Sequence, residues 1–405
     1  MRRYLTRVFR LTGRATGIQQ ANQGVVTSVP VNINVRKADH TWHFQRPMTL
    51  LTQAEINIVR SRVANQVEPQ HSLYNGLIQD ADVAQAFTPS VPSSISIDDD
   101  RDAQDINYWR HVLWDQTDPG LASALAYVYS DNTAYADKAI EILNAWGSEA
   151  PTISSVHSRH RDLIVGQGFL RLIHIADLMW NYPGWQQEDK DIFVSYMKYV
   201  DGRSTGYGRN DSISDNAILF TLALGCLIQD EKRINDMEVR VQNWYTYEDP
   251  IWSRTRKLMY HDTHEVEYFY DPSDRGATSF GYMFNEAAPV SMIARIFELF
   301  GWNILDDVAH SGGSIRGIMQ QLAQWYFDFR DENWDTYPFH DPENLSTHSP
   351  NTKEFLEYLN NFMGGEFVRL QQHLDNERGT ISYGWYFDPY ISLNRGNIYE
   401  DAGTG

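Results

Sequence analysis

The chain has 405 residues, is 42% hydrophobic and 13% aromatic, and carries a formal net charge of −19. Apolar residues recur along its whole length, which supplies a large core and excludes broad disorder; the acidic balance excludes a general nucleic-acid binder, whose affinity comes from Lys and Arg on phosphates. A single cysteine, Cys226, excludes an intrachain disulfide and a Cys-based zinc site, and no apolar run reaches the ~18 residues of a membrane span.

Residues 1–45 are polar and irregular, with "TSVPVNINV" as the one short strand candidate, and read as an N-terminal arm. The leading "MRRYLTRVFRLTG" has no apolar core of the kind an export signal needs, so the compartment stays open. Helix signals begin at "MTLLTQAEINIVRSRVANQ", where Thr52 and Glu55 form a capping-box pair and Ile56, Val59 and Val63 share one helical face. "GLASALAYVYSDNTAYADKAIEILNAWG" predicts two antiparallel helices joined at Ser130–Thr133, with Gly147 ending the second. In "GQGFLRLIHIADLMWNYPGW" the residues Phe169, Leu172, Ile173, Ala176 and Trp180 recur at helical spacing until Pro183-Gly184, and "QQEDKDIFVSYMKYV" resumes as a partner helix. Further helical runs are "SDNAILFTLALGCLIQDEKRINDMEVRVQNW", "PVSMIARIFELFGWNI", "SIRGIMQQLAQWYFDF" and "TKEFLEYLNNFMGGEFVRLQQHL", while the C-terminal "GTISYGWYFDPYISLNRGNIYEDAGTG" reads as an aromatic loop wrapping the rim. Helical hairpins in succession, without a dividing linker or a fixed repeat, predict an all-α fold: one incomplete α/α toroid over residues 46–405.

Three segments carry chemistry. In "YHDTHEVEYFYDPSDRGATSFGYMFNEAAP", Arg275 and Tyr282 lie seven residues apart, two turns if the intervening chain is helical, so both can point at one opening. Spacing alone equally fits a surface ion pair and a half-buried Tyr. "DGRSTGYGRNDSISDNA" sets Tyr207, Arg209, Asn210 and Asp211 in a Gly-rich loop before an apolar helix, where its polar residues can serve as helix caps, ligand contacts or both. "WGSEAPTISSVHSRHRDL" gathers His157, Arg159, His160 and Arg161, a cluster that suits a carboxylated ligand and equally a solvated basic loop. His157 and His160 have a metal-capable spacing without an identifiable third ligand, so no metal site is assigned. Phosphate-loop and HExxH signatures are absent. Trp146, Tyr207, Trp252 and Tyr268 can stack on sugar rings; among 12 Trp, 23 Tyr and 18 Phe core packing is the commoner fate, and Trp146 and Tyr207 are the two taken forward.

Four phrases in order resemble the alginate lyase superfamily of polysaccharide lyases, over about residues 46–305: "RPMTLLTQAEINIVRSRV", "ALAYVYSDNTAYADKAIEILNAWG", "GRNDSISDNAILFTLALGCLIQDE" and "EVEYFYDPSDRGATSFGYMFNEAAPVSMIARIFELFGWNI". The resemblance implies an incomplete α/α toroid that cleaves 1,4-linked uronic acid polymers by β-elimination, with an acidic polysaccharide as partner and no cofactor. It carries the family's Asn onto Asn210, its Arg onto Arg275 and its Tyr onto Tyr282. Elimination needs the C5 carboxylate neutralised, a base for the C5 proton and an acid for the leaving O4; Arg275 and Asn210 suit the first task and Tyr282 the other two. Where some members carry Asn-Asn-His, this chain has Arg209-Asn210-Asp211, so a His role in anti elimination falls to His264, with His157 and His160 as further candidates. Glu265 shares the segment of His264, and the Glu-to-Arg stretch is longer than the family pattern, with "YFYDPS" apparently inserted. The competing readings are a glycoside hydrolase on a related toroid, pairing Asp211 with Glu265 or Asp274, and a non-catalytic polysaccharide binder. The expected state is a monomer without nucleic-acid or membrane partners.

Overall fold

A computed structural model of the protein describes residues 42–97, 103–154, 160–204, 212–246, 259–261, 266–268, 279–307, 314–330, 352–362 and 390–396. The chain divides into two units, Met1–Asn32 and Ile33–Gly405, and every described residue belongs to the second. The strand candidate "TSVPVNINV" lies outside the described residues. Trp42 and Phe44 pack on Phe300, with ring centroids 4.7 and 5.8 Å away, so core packing begins upstream of the arm boundary expected at residue 45.

In chain order the described elements are α1 (Gln53–Ala64), α2 (Gln70–Ala84), β1 (Ser94–Ser96), α3 (Ala103–Ser130), α4 (Thr133–Glu149), β2 (Thr152–Ser154) and α5 (His160–Ile164). A π-helical turn, Val165–Phe169, joins α5 to α6 (Leu170–Met179). Then follow α7 (Gln187–Asp201), α8 (Ser212–Ile228), α9 (Glu231–Thr246), β3 (Met259–His261), β4 (Val266–Tyr268), α10 (Ser279–Leu299), α11 (Ile315–Arg330), α12 (Thr352–Phe362) and α13 (Ile391–Arg395). No helix among the described residues is long and apolar enough to cross a membrane.

Local chemistry sets several of these ends. Thr52 caps α1, accepting from the Glu55 N–H while the Glu55 carboxylate accepts from Thr52 N at 2.7 Å, the reciprocal capping box expected from sequence. Asn132 caps α4 through the Ala134 N–H at 3.1 Å, which fixes the hairpin turn after Ser130. Gly147 does not end α4, as the sequence suggested; the helix runs to Glu149 and stops at Ala150, whose φ is 39°. Gly147 instead permits close approach, since a Cβ there would lie 3.1 Å from Cα of Phe193 on α7. Likewise α3 starts well before the expected Gly120 and continues through Pro119. A proline costs one helical N–H, and the burial of Leu113, Trp114, Leu121 and Leu125 outweighs that loss.

Burial separates two layers. From Leu121 to Ala126 in α3, throughout α6, and from Ala217 to Leu227 in α8, nearly every residue is buried regardless of helical face. Helices apolar all round belong inside a larger assembly. By contrast α4, α7 and α9 each keep an exposed polar face and return the chain outside the first set. This arrangement is an α/α toroid. The free thiol of Cys226 is fully buried within α8, where burial pushes its pKa well up.

The inner helices run in the same sense, which follows from matched contacts at both ends. A Cβ on Gly168 would collide with Leu113, and one on Gly120 would meet Ile175 at 3.0 Å. Seven residues on α3 therefore match seven on the π-turn and α6. For α8, a Cβ on Gly166 would sit 2.5 Å from the Asn216 carbonyl oxygen, while at the other end Arg46 donates to the Leu227 carbonyl and stacks 4.3 Å from the Trp180 ring. For α10, Phe297 lies 6.5 Å from Trp42, whose indole N–H reaches Asn235 in the first turns of α9, just beyond the end of α8. The starts of α3, α5, α8 and α10 consequently open on one rim. Gly166→Ala is expected to force α8 away from the π-turn and cost about 1–3 kcal/mol, read as a lower denaturant midpoint.

Of the C-terminal segment expected to wrap the rim as a loop, residues 390–396 are described, and these form α13 and dock through buried polar contacts; the rest lies outside the described residues. Arg395 on α13 donates to Glu55 and, at 2.5 Å, to the Leu50 carbonyl; Arg295 on α10 reaches the same Glu55 oxygen at 2.7 Å. Tyr129 on α3 donates to Asn394 at 2.6 Å, and Asn361 on α12 donates to the Arg395 carbonyl at 2.8 Å. One carboxylate thus ties α1, α10 and α13.

Candidate functional site

The rim formed by the inner helix starts is where the chemistry-bearing segments attach. Residue 210 comes two positions before Ser212, the first residue of α8, and His160 is the first residue of α5. Tyr282 falls in the first turn of α10, because that helix begins at Ser279, ten residues earlier than "PVSMIARIFELFGWNI" suggested. Its position near a helix start agrees with the sequence reading; its side chain, like that of His160, lies outside the described residues. Residues His157, Arg159, Tyr207, Arg209, Asn210, Asp211, His264, Glu265, Asp274 and Arg275 also lie outside them. The alignment of α5, α8 and α10 gives the rim three positive helix ends, a field that favours an anion.

Two small sheets fix the chain next to these segments. β2 pairs in parallel with β1, Ile95 opposite Ile153, and Ile97 N donates to Ser154 O at 3.1 Å. Tyr199 and Tyr196 on α7 bond the Ile153 N–H and the Pro151 carbonyl at 3.1 and 3.2 Å. The chain is therefore held on two sides just where the His157 segment begins. β3 and β4 form an antiparallel hairpin with His261 opposite Val266, and the four connecting residues, 262–265, include His264 and Glu265.

Trp146 corrects the sequence reading. The ring is fully buried, edge-to-face on Phe169 at 5.6 Å and 82°, so it packs α4 onto the π-turn instead of offering a face to a sugar.

Gln167 was not singled out from sequence. It sits in the π-turn, 2% exposed, and its Oε1 has no hydrogen-bond partner among the described residues. Its backbone carbonyl accepts from Trp114 at 3.2 Å. Phe169 faces the outer layer through Trp146 and Tyr196, and Gly166 and Gly168 abut α8 and α3. Helical geometry then turns Gln167 to the inner side, between α3 and α8. A buried amide oxygen without a partner costs stability, and π-turns inside helices recur at functional sites. The available signal was the Gly-Gln-Gly triplet within an apolar helix.

Below Gln167 on the same face come Arg171 and His174. Arg171 pairs with Asp118 on α3 and lies 5.0 Å over the Trp114 ring. Burial raises the Asp118 carboxyl, with Arg171 opposing. His174 contacts the Thr49 hydroxyl through Nδ1 at 3.0 Å, and burial, helped by Arg171 and Arg395, holds its pKa at about 3. It is neutral at ordinary pH, which makes this stripe a fixed structural floor. One turn on, Asp177 accepts the Met48 and Thr49 N–H groups at 2.7 Å each, pinning the "RPMTL" segment to α6.

The family model for alginate lyase matches residues 96–334. No curated protein sequence matches the chain. Among solved structures, an alginate lyase from Bacteroides ovatus is similar at 14% identity and a TM-score of 0.57, over 87% of this chain and 99% of that one. Alginate lyase A1-III from Sphingomonas species A1 is similar at 12% identity and a TM-score of 0.57, over 84% of this chain and 94% of that one. A Tyr-to-Phe variant of alginate lyase A1-III complexed with a tetrasaccharide matches at 13% identity and a TM-score of 0.60, over 84% and 93%. At such identities the structural likeness establishes a common fold.

Proposed function

The chain belongs to the alginate lyase family of polysaccharide lyases, and on that premise we propose that it cleaves a 1,4-linked polyuronate, mannuronan or glucuronan, by β-elimination. Tyr282, as phenolate, takes the C5 proton; the C5 electron pair forms the C4–C5 double bond as the C4–O4 bond breaks; the phenol then returns its proton to the departing O4. Arg275 and Asn210 neutralise the C5 carboxylate, without which that proton is too weakly acidic to remove. An unperturbed Tyr, with pKa ~10, is protonated at neutral pH, so the Arg275 guanidinium serves a second purpose by favouring the phenolate. In a β-D-linked mannuronan or glucuronan the proton and O4 share a face, so one Tyr suffices; His264 is the group assigned to the opposite face for anti elimination. His157, Arg159, His160, Tyr207, Arg209 and Glu265 complete the substrate contacts of this reading.

The observation that supports it most is the common sense of α5, α8 and α10. It sets the starts of α5, α8 and α10 on one rim, with helix ends that attract a polyanion. Gln167 adds a neutral acceptor for a hydroxyl of the bound sugar within the same ring of helices. Gln167→Met is expected to stabilise the fold by about 1 kcal/mol, because it removes an unpartnered buried amide oxygen, while weakening turnover; thermal melting and initial rates on one preparation separate the two effects.

The reaction is tested on polymannuronate, polyguluronate, glucuronan and hyaluronan by following the ultraviolet absorbance of the conjugated product. Rising absorbance on at least one polymer supports elimination. New reducing ends without absorbance point to hydrolysis, and oligosaccharide binding without cleavage points to a binder; either result overturns the proposal.

A further inference from the structure

At the opposite end of the inner helices, α6 finishes beside a small aromatic and cationic corner. Trp180 and Trp185 meet edge-to-face at 5.7 Å. The Lys190 ammonium, in the first turn of α7, lies 5.7 Å from the Trp180 ring and 5.6 Å from the Trp185 ring, and the Arg46 guanidinium lies 4.3 Å from the Trp180 ring. Trp185 donates its indole N–H to Asn144 at 3.0 Å, whereas the Trp180 indole N–H has no hydrogen-bond partner among the described residues.

Charge is unbalanced here. Lys190 forms no ion pair with any described carboxylate, although the chain has 53 acidic against 34 basic residues. Asp189, next to it in sequence, accepts from Asn144 at 3.2 Å. Arg46 gives a hydrogen bond to the Leu227 carbonyl, and its one acidic influence is Asp177, buried and already bonded to two backbone N–H groups. Burial and the charge of Arg46 both push the Lys190 pKa down. Two half-buried cations lie against one indole and repel each other, and the N–H of that indole has no partner among the described residues.

We propose that the Trp180–Lys190–Arg46 corner binds a uronate unit, its carboxylate on Lys190, Arg46 and the Trp180 N–H, and its sugar ring against the part-exposed Trp180 indole, which the buried Trp185 backs. The carboxylate supplies the missing negative charge, and indoles present the apolar surface that the C–H face of a pyranose covers. Twenty residues of helix from His160 to Met179 span ~30 Å, so this is a second contact for a long chain, remote from the rim where cleavage is assigned. Two contacts on one polymer raise the effective concentration at the rim for long chains and leave short oligomers unaffected. The choice of a uronate rests on the polyuronate reading above.

The test titrates mannuronate and glucuronate trisaccharides, with a neutral cellotriose control, into Tyr282→Phe protein with and without Lys190→Met, by calorimetry. Lys190→Met keeps an unbranched apolar stem over the indoles, and its melting temperature reports on folding. The expected result is two equivalents bound for at least one acidic trisaccharide, one of them lost with Lys190→Met, and none for cellotriose. In otherwise unaltered protein, Lys190→Met should raise KM for the polymer by about threefold to tenfold at constant kcat, without changing KM for the trisaccharide. A single equivalent indifferent to Lys190→Met, with cleavage intact, overturns the second site and leaves the lyase reading standing. Lys190-dependent binding in a protein that cleaves no polyuronate leaves the site standing and removes the lyase reading.

Discussion

Replacing Tyr282 with Phe is expected to slow unsaturated-product formation by about 10²–10⁴-fold, the usual contribution of a positioned acid–base group, with little change in the melting temperature. The substitution deletes one oxygen from the first turn of α10, a helix fixed elsewhere by Arg295 on Glu55 and by Phe297 against Trp42 and Trp302. Those anchors lie near the far end of the helix, so the loss is chemical rather than structural. Arg275→Lys separates the two tasks given to the guanidinium: a lysine still offers positive charge but loses the bidentate match to a carboxylate. Initial rates over a range of pH read both variants. An unchanged rate in Tyr282→Phe removes the phenol from the mechanism.

The largest stability effect is expected at Glu55. In Glu55→Ala the capping box is lost, and Arg395, with a side chain 3% exposed, and Arg295 are left without their shared carboxylate. Stranding a buried charge costs about 3–5 kcal/mol, and the missing cap adds about 1 kcal/mol; denaturant unfolding measures the sum. The pH dependence has a defined sign. Although burial pushes the Glu55 carboxyl up, Arg395, Arg295 and the Thr52 N–H together hold its folded pKa at about 2, below the ordinary 4.5. A depressed carboxyl stabilises the fold above its unfolded pKa and loses that contribution as pH falls through the folded value. The gap between the original protein and Glu55→Ala should therefore be full above pH 4.5 and shrink toward pH 2.

Local features were legible where the signal is itself local. Thr52 with Glu55 spelled out a capping box, and Asp131-Asn132 marked the turn between α3 and α4. The toroid followed from one helical hairpin after another, and its family from four ordered phrases. Gly147 misled because a glycine late in a helix can end it or admit a neighbour, and the neighbour, Phe193, is 46 positions away. Pro119 hid the first half of α3, since propensity argues against a proline that the core tolerates. Arg295 and Arg395 meet at Glu55 across 240 and 340 residues of sequence, a partnership no window can contain. At the site, the rim is a property of helix sense, which only the packing of Gly120, Gly166 and Gly168 reveals. Trp146 beside a basic loop looked like a sugar platform because sequence cannot tell which face of a helix meets the outer layer.

The central claim is that one sugar carboxylate is cancelled by Arg275 and Asn210 while the residue-282 ring faces C5. A crystal structure of Tyr282→Phe with a bound uronate oligosaccharide tests it most directly. The expected result is a carboxylate bonded to both Arg275 and Asn210, with C5 and the bridging O4 turned toward the ring at position 282. A chain seated away from the shared rim, or side chains 210, 275 and 282 directed into separate cavities, would contradict it.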